Sequence, residues 1–117
     1  MYKITGISAN YNQLLGLSLH KVSNITLGLH YYATQQSWMY DVQYEDFSIK
    51  NQRVHISYNM LDKYKNIVPF GIYVKSLDGG EPLYLEDFTY PRIEMYLLTA
   101  EEAQSIHTMI YRRWVND

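Results

Sequence analysis

Four histidines are the side chains best suited to chemistry, because an imidazole can transfer a proton near neutral pH or bind a metal ion. They are His20, His30, His55 and His107. The first two flank a predicted hairpin whose leucine faces agree if Leu17 opposes Leu27. At ~3.3 Å per residue, that register separates the two imidazoles by about 20 Å, so we expect no shared metal site.

The other two histidines also lack the neighbours that catalysis needs. His55 stands two residues before Ser57, which is too far along a strand for a direct hydrogen bond, and nothing around Ser57 resembles a nucleophile elbow. His107 lies on the flank of a predicted helix; the alternative is that His107 and Tyr111 form the rim of an interface. We therefore predict no enzyme activity, no metal and no cofactor.

Two acidic segments share the letters EDF, in YEDFSI at 44–49 and LEDFTY at 85–90. Their flanking residues differ, which argues against a duplication. The favoured interpretation is a bend at each strand end that turns both carboxylates outward. The alternative is a single acidic patch that docks onto a basic partner. That patch would consist of Asp41, Glu45, Asp46, Glu86 and Asp87.

Composition limits the classes of protein that fit. The 117 residues suit one domain, 1–117, and the absence of cysteine excludes disulfides and thiolate chemistry. A formal charge of −2 has the wrong sign for a nucleic-acid binder. No apolar run could span a membrane and no signal peptide is visible, so we expect a cytoplasmic protein. The 13 tyrosines are the outlier, and they indicate either codon bias or an interface.

Alternating apolar residues predict strands through the first two-thirds of the chain. The predicted strands cover 15–19, 25–31, 38–44, 54–58, 67–74, 83–88 and 93–97, with a weaker opening strand at 2–9. The run 67–74 is almost unbroken and predicts a central strand. Turns are expected at 22–24, 50–52 and 78–80, the last as the tight turn of a hairpin.

The helical period begins after a capping box formed by Thr99 and Glu102, and it predicts a helix over about 100–115. Its apolar stripe contains Ala103, Ile106, Ile110 and Trp114. The predicted class is therefore α+β and mainly β. We expect a curled antiparallel meander of six or seven strands, as an open barrel or a strongly twisted sheet, with one C-terminal helix packed on it.

These features together favour a small non-enzymatic module that binds another protein, one with a basic surface. The profile is typical of phage and mobile-element accessory proteins, which suggests inhibition of a host nuclease or defence protein by covering its surface. A homodimer that pairs the strand 25–32 is a further hypothesis. The expected partner-binding residues are Tyr31, Tyr32, Trp38, Tyr40, Asp41, Tyr44 and Glu45.

The alternative function is binding of a small ligand or a lipid headgroup in a tyrosine-lined cavity. Strands followed by one helix form an order similar to that of pleckstrin-homology-like barrels. The basic first hairpin of such domains is missing here, since that region holds only Lys3 and Lys21.

Overall fold

A computed structural model describes residues 1–90 and 92–116, with side chains as far as Met109. It contains seven strands, a short 3-10 helix at Asp62–Tyr64 and one α-helix. The strands are β1 Tyr2–Lys3, β2 Asn12–Leu19, β3 Val22–Tyr32, β4 Ser37–Tyr44, β5 Phe47–Arg53, β6 Phe70–Ser76 and β7 Ile93–Thr99, and the helix is α1 Ala100–Asn116. The predicted class, mainly β with a C-terminal helix, is confirmed.

The strands divide between two antiparallel sheets and do not form a closed barrel. One sheet has the order β2-β3-β4-β5 and the other the order β1-β7-β6. Alternate residues of facing strands supply one shared core, as the period of two requires. Trp38 and Val42 of β4 and Phe70 and Ile72 of β6 all belong to it, at 1 % exposure or less.

The β2–β3 hairpin has a different register from the predicted one. Leu17 pairs with Ile25 rather than with Leu27, and the turn consists of His20 and Lys21 instead of residues 22–24. Lys21 adopts the left-handed conformation, with φ 66°, which the tight reversal requires. Because β3 lies between β2 and β4, the hypothesis that 25–32 is a free edge for dimerisation is wrong.

The segment after β4 reverses earlier than predicted. Tyr44 pairs with Phe47, so Glu45 and Asp46 form the turn and β5 runs through the expected turn at 50–52. Asn51, with φ 55°, lies in a bulge within that strand. The predicted strand over 54–58 reduces to a single bridge between Ser57 and Val74.

The region around β6 also departs from the prediction. Pro69 directly precedes the strand, as expected for a residue without an N–H group. The centre of its sheet, however, is β7 rather than β6. The turn at Asp78 leads into a long loop between β6 and β7, of which residues 77–90 and 92 are described, and the predicted strand over 83–88 is a series of turns inside that loop.

The helix begins as its capping box predicts. The Glu102 N–H donates to Thr99 Oγ1 at 3.2 Å, and the Thr99 N–H donates to Glu102 Oε1 at 3.0 Å. Leu98 and Ala103 are both buried, which seats the first turn of α1 against one end of the three-stranded sheet. The predicted stripe residues Ile110 and Trp114 lie outside the described side chains.

Candidate functional site

The loop 77–92 is held in one conformation by a charged pair. The Arg92 guanidinium donates to both oxygens of Asp87, at 3.0 and 2.7 Å, and to Asp78 at 3.1 Å. Asp87 is 4 % exposed, and its carboxylate also accepts the N–H groups of Leu83 and Tyr84. The hydrogen bonds that Arg92 donates to Asp87 raise the pKa of the guanidinium above its usual value. A loop with this internal bonding is a rigid element.

Two aromatic residues of the four-stranded sheet fasten the loop to the core. The Tyr31 hydroxyl donates to the Leu83 carbonyl at 2.6 Å, and Trp38 Nε1 donates to the Tyr84 carbonyl at 3.0 Å. The Trp38 ring also meets Phe88 edge-on, with centroids 5.3 Å apart. Both polar atoms thereby find partners at the edge of an apolar cluster, as buried tyrosine and tryptophan require.

The outer side of the loop presents aromatic rings beside negative charge. Tyr84 and Tyr90 are 53 % and 76 % exposed, and Glu86 is exposed. Tyr11 is 53 % exposed, and its ring lies 6.0 Å from that of Tyr31 beneath the loop. We call Tyr11, Tyr84, Glu86 and Tyr90 the recognition surface. Burial raises the pKa of the Tyr31 hydroxyl beneath it, and the charges of Asp87 and Glu86 add to that rise together with Tyr11 and Tyr84. The Tyr90 N–H donates to the Glu86 carbonyl at 2.9 Å, which places these two residues one turn apart.

The loop concentrates the negative charge of the chain. It carries four carboxylates against one guanidinium, a net −3, whereas the whole chain has −2. The carboxylates belong to Asp78, Glu81, Glu86 and Asp87. A potential of this sign attracts basic side chains.

Three of the residues predicted to bind a partner are buried. Tyr31, Trp38 and Tyr40 are 9 %, 0 % and 3 % exposed, and burial raises the pKa of Tyr40 to about 12. They point into the core because they occupy its side of the alternating strands β3 and β4. Their predicted role as surface anchors is therefore corrected: Tyr31 and Trp38 support the loop from beneath.

The other predicted binding residues do not form one surface. Tyr32 is 44 % exposed at the end of β3, and Tyr44 is half-buried with its ring 5.4 Å from Phe70. Glu45 lies in the turn after β4, whereas Trp38 at the start of β4 contacts the loop. The acidic pairs at 45–46 and 86–87 are thus about 20 Å apart, at opposite ends of the strand. The alternative of five carboxylates in one patch is therefore wrong. The favoured interpretation, a bend with both carboxylates turned outward, is wrong for Asp87, which is buried.

Asp41 takes part in a polar network that sequence reasoning missed. His30 Nε2 lies 2.6 Å from Asp41 Oδ2, and His30 Nδ1 lies 2.7 Å from Asn12 Oδ1. The Asn51 N–H donates to Asp41 Oδ1 at 2.8 Å. Burial alone would raise the pKa of Asp41, but the bonds from Asn51 and His30 outweigh it, so the pKa is lowered. The network ties β2, β3, β4 and β5 together on the outer face of their sheet.

This network is suited to structure more than to acid–base chemistry. Both nitrogens of His30 are already engaged by side-chain oxygens, so neither faces an open site where a substrate could bind. His55 is exposed and contacts the Arg53 carbonyl at 3.2 Å. His107 lies 3.1 Å from Asp62, which joins α1 to the 3-10 helix; the side chain of Tyr111 is outside the described part. Among the described residues, no three histidine or acidic side chains converge as a metal site would require.

The outer face of the three-stranded sheet carries a row of tyrosines. The Tyr73 ring lies 5.9 Å from Tyr58 and 5.7 Å from Tyr96, measured between centroids. A groove of about 350 Å³ runs beside Tyr58 and Tyr73 and is also lined by Ile56 and Lys75. The first turn of α1 covers Leu98 on this face and leaves the tyrosines at least partly accessible.

Comparisons with known proteins add no functional information: no protein-family model matches the chain, and a search of curated proteins found no relative. In the described part of the chain, no helix is long and apolar enough to cross a membrane.

Proposed function

We propose that the chain is a non-enzymatic module that binds another protein through the recognition surface. The observation that carries this proposal is that one loop is internally bonded and also exposes tyrosine rings. The ion pair of Asp87 and Arg92 holds the backbone of the loop, and the rings of Tyr84 and Tyr90 lie in solvent. A loop that is ordered before binding loses little entropy when a partner covers it.

The partner that suits this surface has lysine or arginine side chains around an apolar patch. Glu86 and the net charge of −3 on the loop would steer such a partner into contact. The three exposed tyrosines would then supply apolar area, and the ring faces of Tyr11 and Tyr90 can bind cations. The Tyr84 ring already carries the Arg92 guanidinium, whose Cζ lies 5.5 Å from the ring centroid. Binding would act by covering the surface of the partner. The narrower hypothesis of a phage inhibitor of a host nuclease or defence protein stays a prediction.

Capture from a cell lysate of the source organism, with matched surface variants, tests the proposal. We expect the wild-type protein to retain a stoichiometric basic partner and the double variant Tyr84→Ala, Tyr90→Ala to lose it. Tyr58→Ala removes an equally exposed ring from the other sheet and serves as the control. Because the carboxylates act at long range, capture should weaken as salt rises. Retention of the partner by the double variant contradicts the proposal.

A second candidate function is binding of a small ligand in the groove beside Tyr58 and Tyr73. Its volume of about 350 Å³ and its aromatic lining are typical of small-molecule sites. Amide shifts of Tyr73 and Lys75 during titration with a library of aromatic fragments would test it. Shifts confined to this groove support the function, and a library that leaves both amides unmoved contradicts it.

A further inference from the structure

Strand β2 forms a free edge of the four-stranded sheet. The Tyr31 N–H donates to the Tyr11 carbonyl at 2.8 Å, which sets the alternation of hydrogen bonds between β2 and β3. The N–H and C=O groups of Leu14, Gly16 and Ser18 therefore point away from β3. Among the described residues, no backbone group pairs with them.

The long edges elsewhere in the two sheets are protected. On the opposite edge of the same sheet, β5 carries Lys50, Arg53 and a bulge, which all discourage pairing. In the other sheet, the outer edge of β6 is covered by the N–H groups of Ser57 and Met60, which donate to Val74 and Ile72. On the other side of that sheet, β1 is only two residues long.

Strand β2 lacks these protective features: the register shift between Leu17 and Leu19 places its extra residue on β3, so β2 itself carries no bulge. Its sequence NQLLGLSL contains no charge and no proline. Leu14 on its outer face is 75 % exposed. On its inner face Leu15, Leu17 and Leu19 are only half-buried, because no strand lies beyond them. A long, apolar and uncharged edge of this kind is a template for another strand.

We propose that β2 pairs with β2 of a second copy of this chain, antiparallel and about a two-fold axis near Gly16. In that arrangement Leu15 faces Leu17 of the second copy on the inner side, and Leu14 faces Ser18 on the outer side. The two sheets join into one of eight strands, and the leucines gain the neighbour that they lack. The proposal does not depend on the proposed function.

Two features favour a second copy over a foreign strand. The edge is self-complementary, since the two-fold axis brings leucine against leucine and no like charges together. It is also the one long unprotected edge of the described strands. Once two copies have paired through it, neither has a second such edge left, so a dimer forms and not a filament. An edge of this length buries less than the ~1,600 Å² of a standard interface, so we expect a weak dimer in exchange with monomer.

Sedimentation equilibrium over a concentration series, up to about 1 mM protein, tests the pairing because a weak dimer accumulates at high concentration. For the wild-type chain we expect the mass to rise from 13.9 kDa towards twice that value. Gly16→Pro removes an N–H that β3 does not use, and it should weaken association at least tenfold. Ser48→Pro does the same on the outer edge of β5 and should associate like the wild type.

Amide exchange of the wild-type chain gives a second readout that needs no variant. The N–H groups of Leu14, Gly16 and Ser18 should become protected as concentration rises, while exposed amides elsewhere do not. A wild-type chain that stays monomeric throughout overturns the proposal. So does dimerisation without protection of these three amides, because the contact would then lie elsewhere.

Discussion

The Arg92 guanidinium donates two hydrogen bonds to the Asp87 carboxylate, at 3.0 and 2.7 Å, on the core-facing side of the loop that both residues belong to. Asp87 is buried, and its Oδ2 also accepts the N–H groups of Leu83 and Tyr84. Removing the negative charge leaves the guanidinium without its main partner. We therefore expect Asp87→Asn to lower the free energy of unfolding by about 2–4 kcal/mol, measured by urea denaturation.

The same variant should loosen the loop locally, which amide exchange at Leu83 and Tyr84 would detect. Asp78→Asn is the matched control, because Asp78 contacts the same guanidinium but its side chain is 56 % exposed. Solvent screens that contact, so the loss should be much smaller. Equal losses in the two variants would show that burial of Asp87 does not matter.

Asp41 makes stability depend on pH in the acidic range. Its pKa in the folded protein is lowered, so the unfolded chain binds a proton more readily. The resulting stability is present above the ordinary aspartate pKa of 3.8 and is lost as pH falls through the lower folded value. Asp41→Asn should flatten the dependence of unfolding free energy on pH from the ordinary aspartate pKa of 3.8 downwards. Asp46→Asn, in the exposed turn, should leave that slope in place.

Local patterns predicted the parts of the fold that local physics determines. The capping box of α1 and the alternating strands β2, β3 and β4 depend on neighbours in sequence. The errors arose where one residue changed the chain direction or its register. Asn51 resembles a turn residue, but its positive φ is used in a bulge and β5 continues through it. The leucines before Asp87 favour a strand, but no strand forms there. The Asp87 carboxylate accepts the N–H groups of Leu83 and Tyr84 and so stabilises a turn instead.

The candidate site was less accessible to prediction, because it depends on tertiary contacts. The observed register places Asn12 opposite His30. With that register, the hydrogen bonds of His30 to Asn12 and Asp41 could have been predicted. The excess of tyrosine is evident in the composition. Which of these tyrosines face the core and which face solvent cannot be predicted without knowing how the strands are arranged in the sheets. Tyr84 was assigned to a strand, so its place on a rigid loop was missed.

The capping box offers a direct test of how much α1 depends on its first turn. Thr99→Ala removes the oxygen that accepts the Glu102 N–H at 3.2 Å. A lost N-cap typically costs about 1 kcal/mol, and we expect that loss in thermal or urea unfolding. Ser105→Ala, on the exposed side of the same helix, should change stability by only a few tenths of a kcal/mol. A neutral Thr99→Ala would mean that packing alone holds the helix.

Gly71 lies where the side chain of Asn59 crosses β6. A Cβ atom at this position would lie 2.6 Å from Asn59 Oδ1, which is closer than a Cβ atom approaches another heavy atom in real structures. Asn59 cannot easily withdraw, because the same oxygen accepts the N–H groups of Leu61 and Ile72 at 2.9 and 3.0 Å. Gly71→Ala must therefore either break these bonds or move the strand, and we expect a loss of about 2 kcal/mol or more.

Gly16→Ala is the matched control for Gly71→Ala, since a Cβ at Gly16 meets nothing within 4 Å. Both variants remove the same backbone freedom from the unfolded chain, which alone would stabilise each by a few tenths of a kcal/mol. Any difference between them therefore measures the clash at Asn59. Urea denaturation of the two variants at equal, low concentration separates this effect from self-association. If Gly71→Ala were as stable as Gly16→Ala, Asn59 would have to be free to move, and its two hydrogen bonds would contribute nothing to the fold.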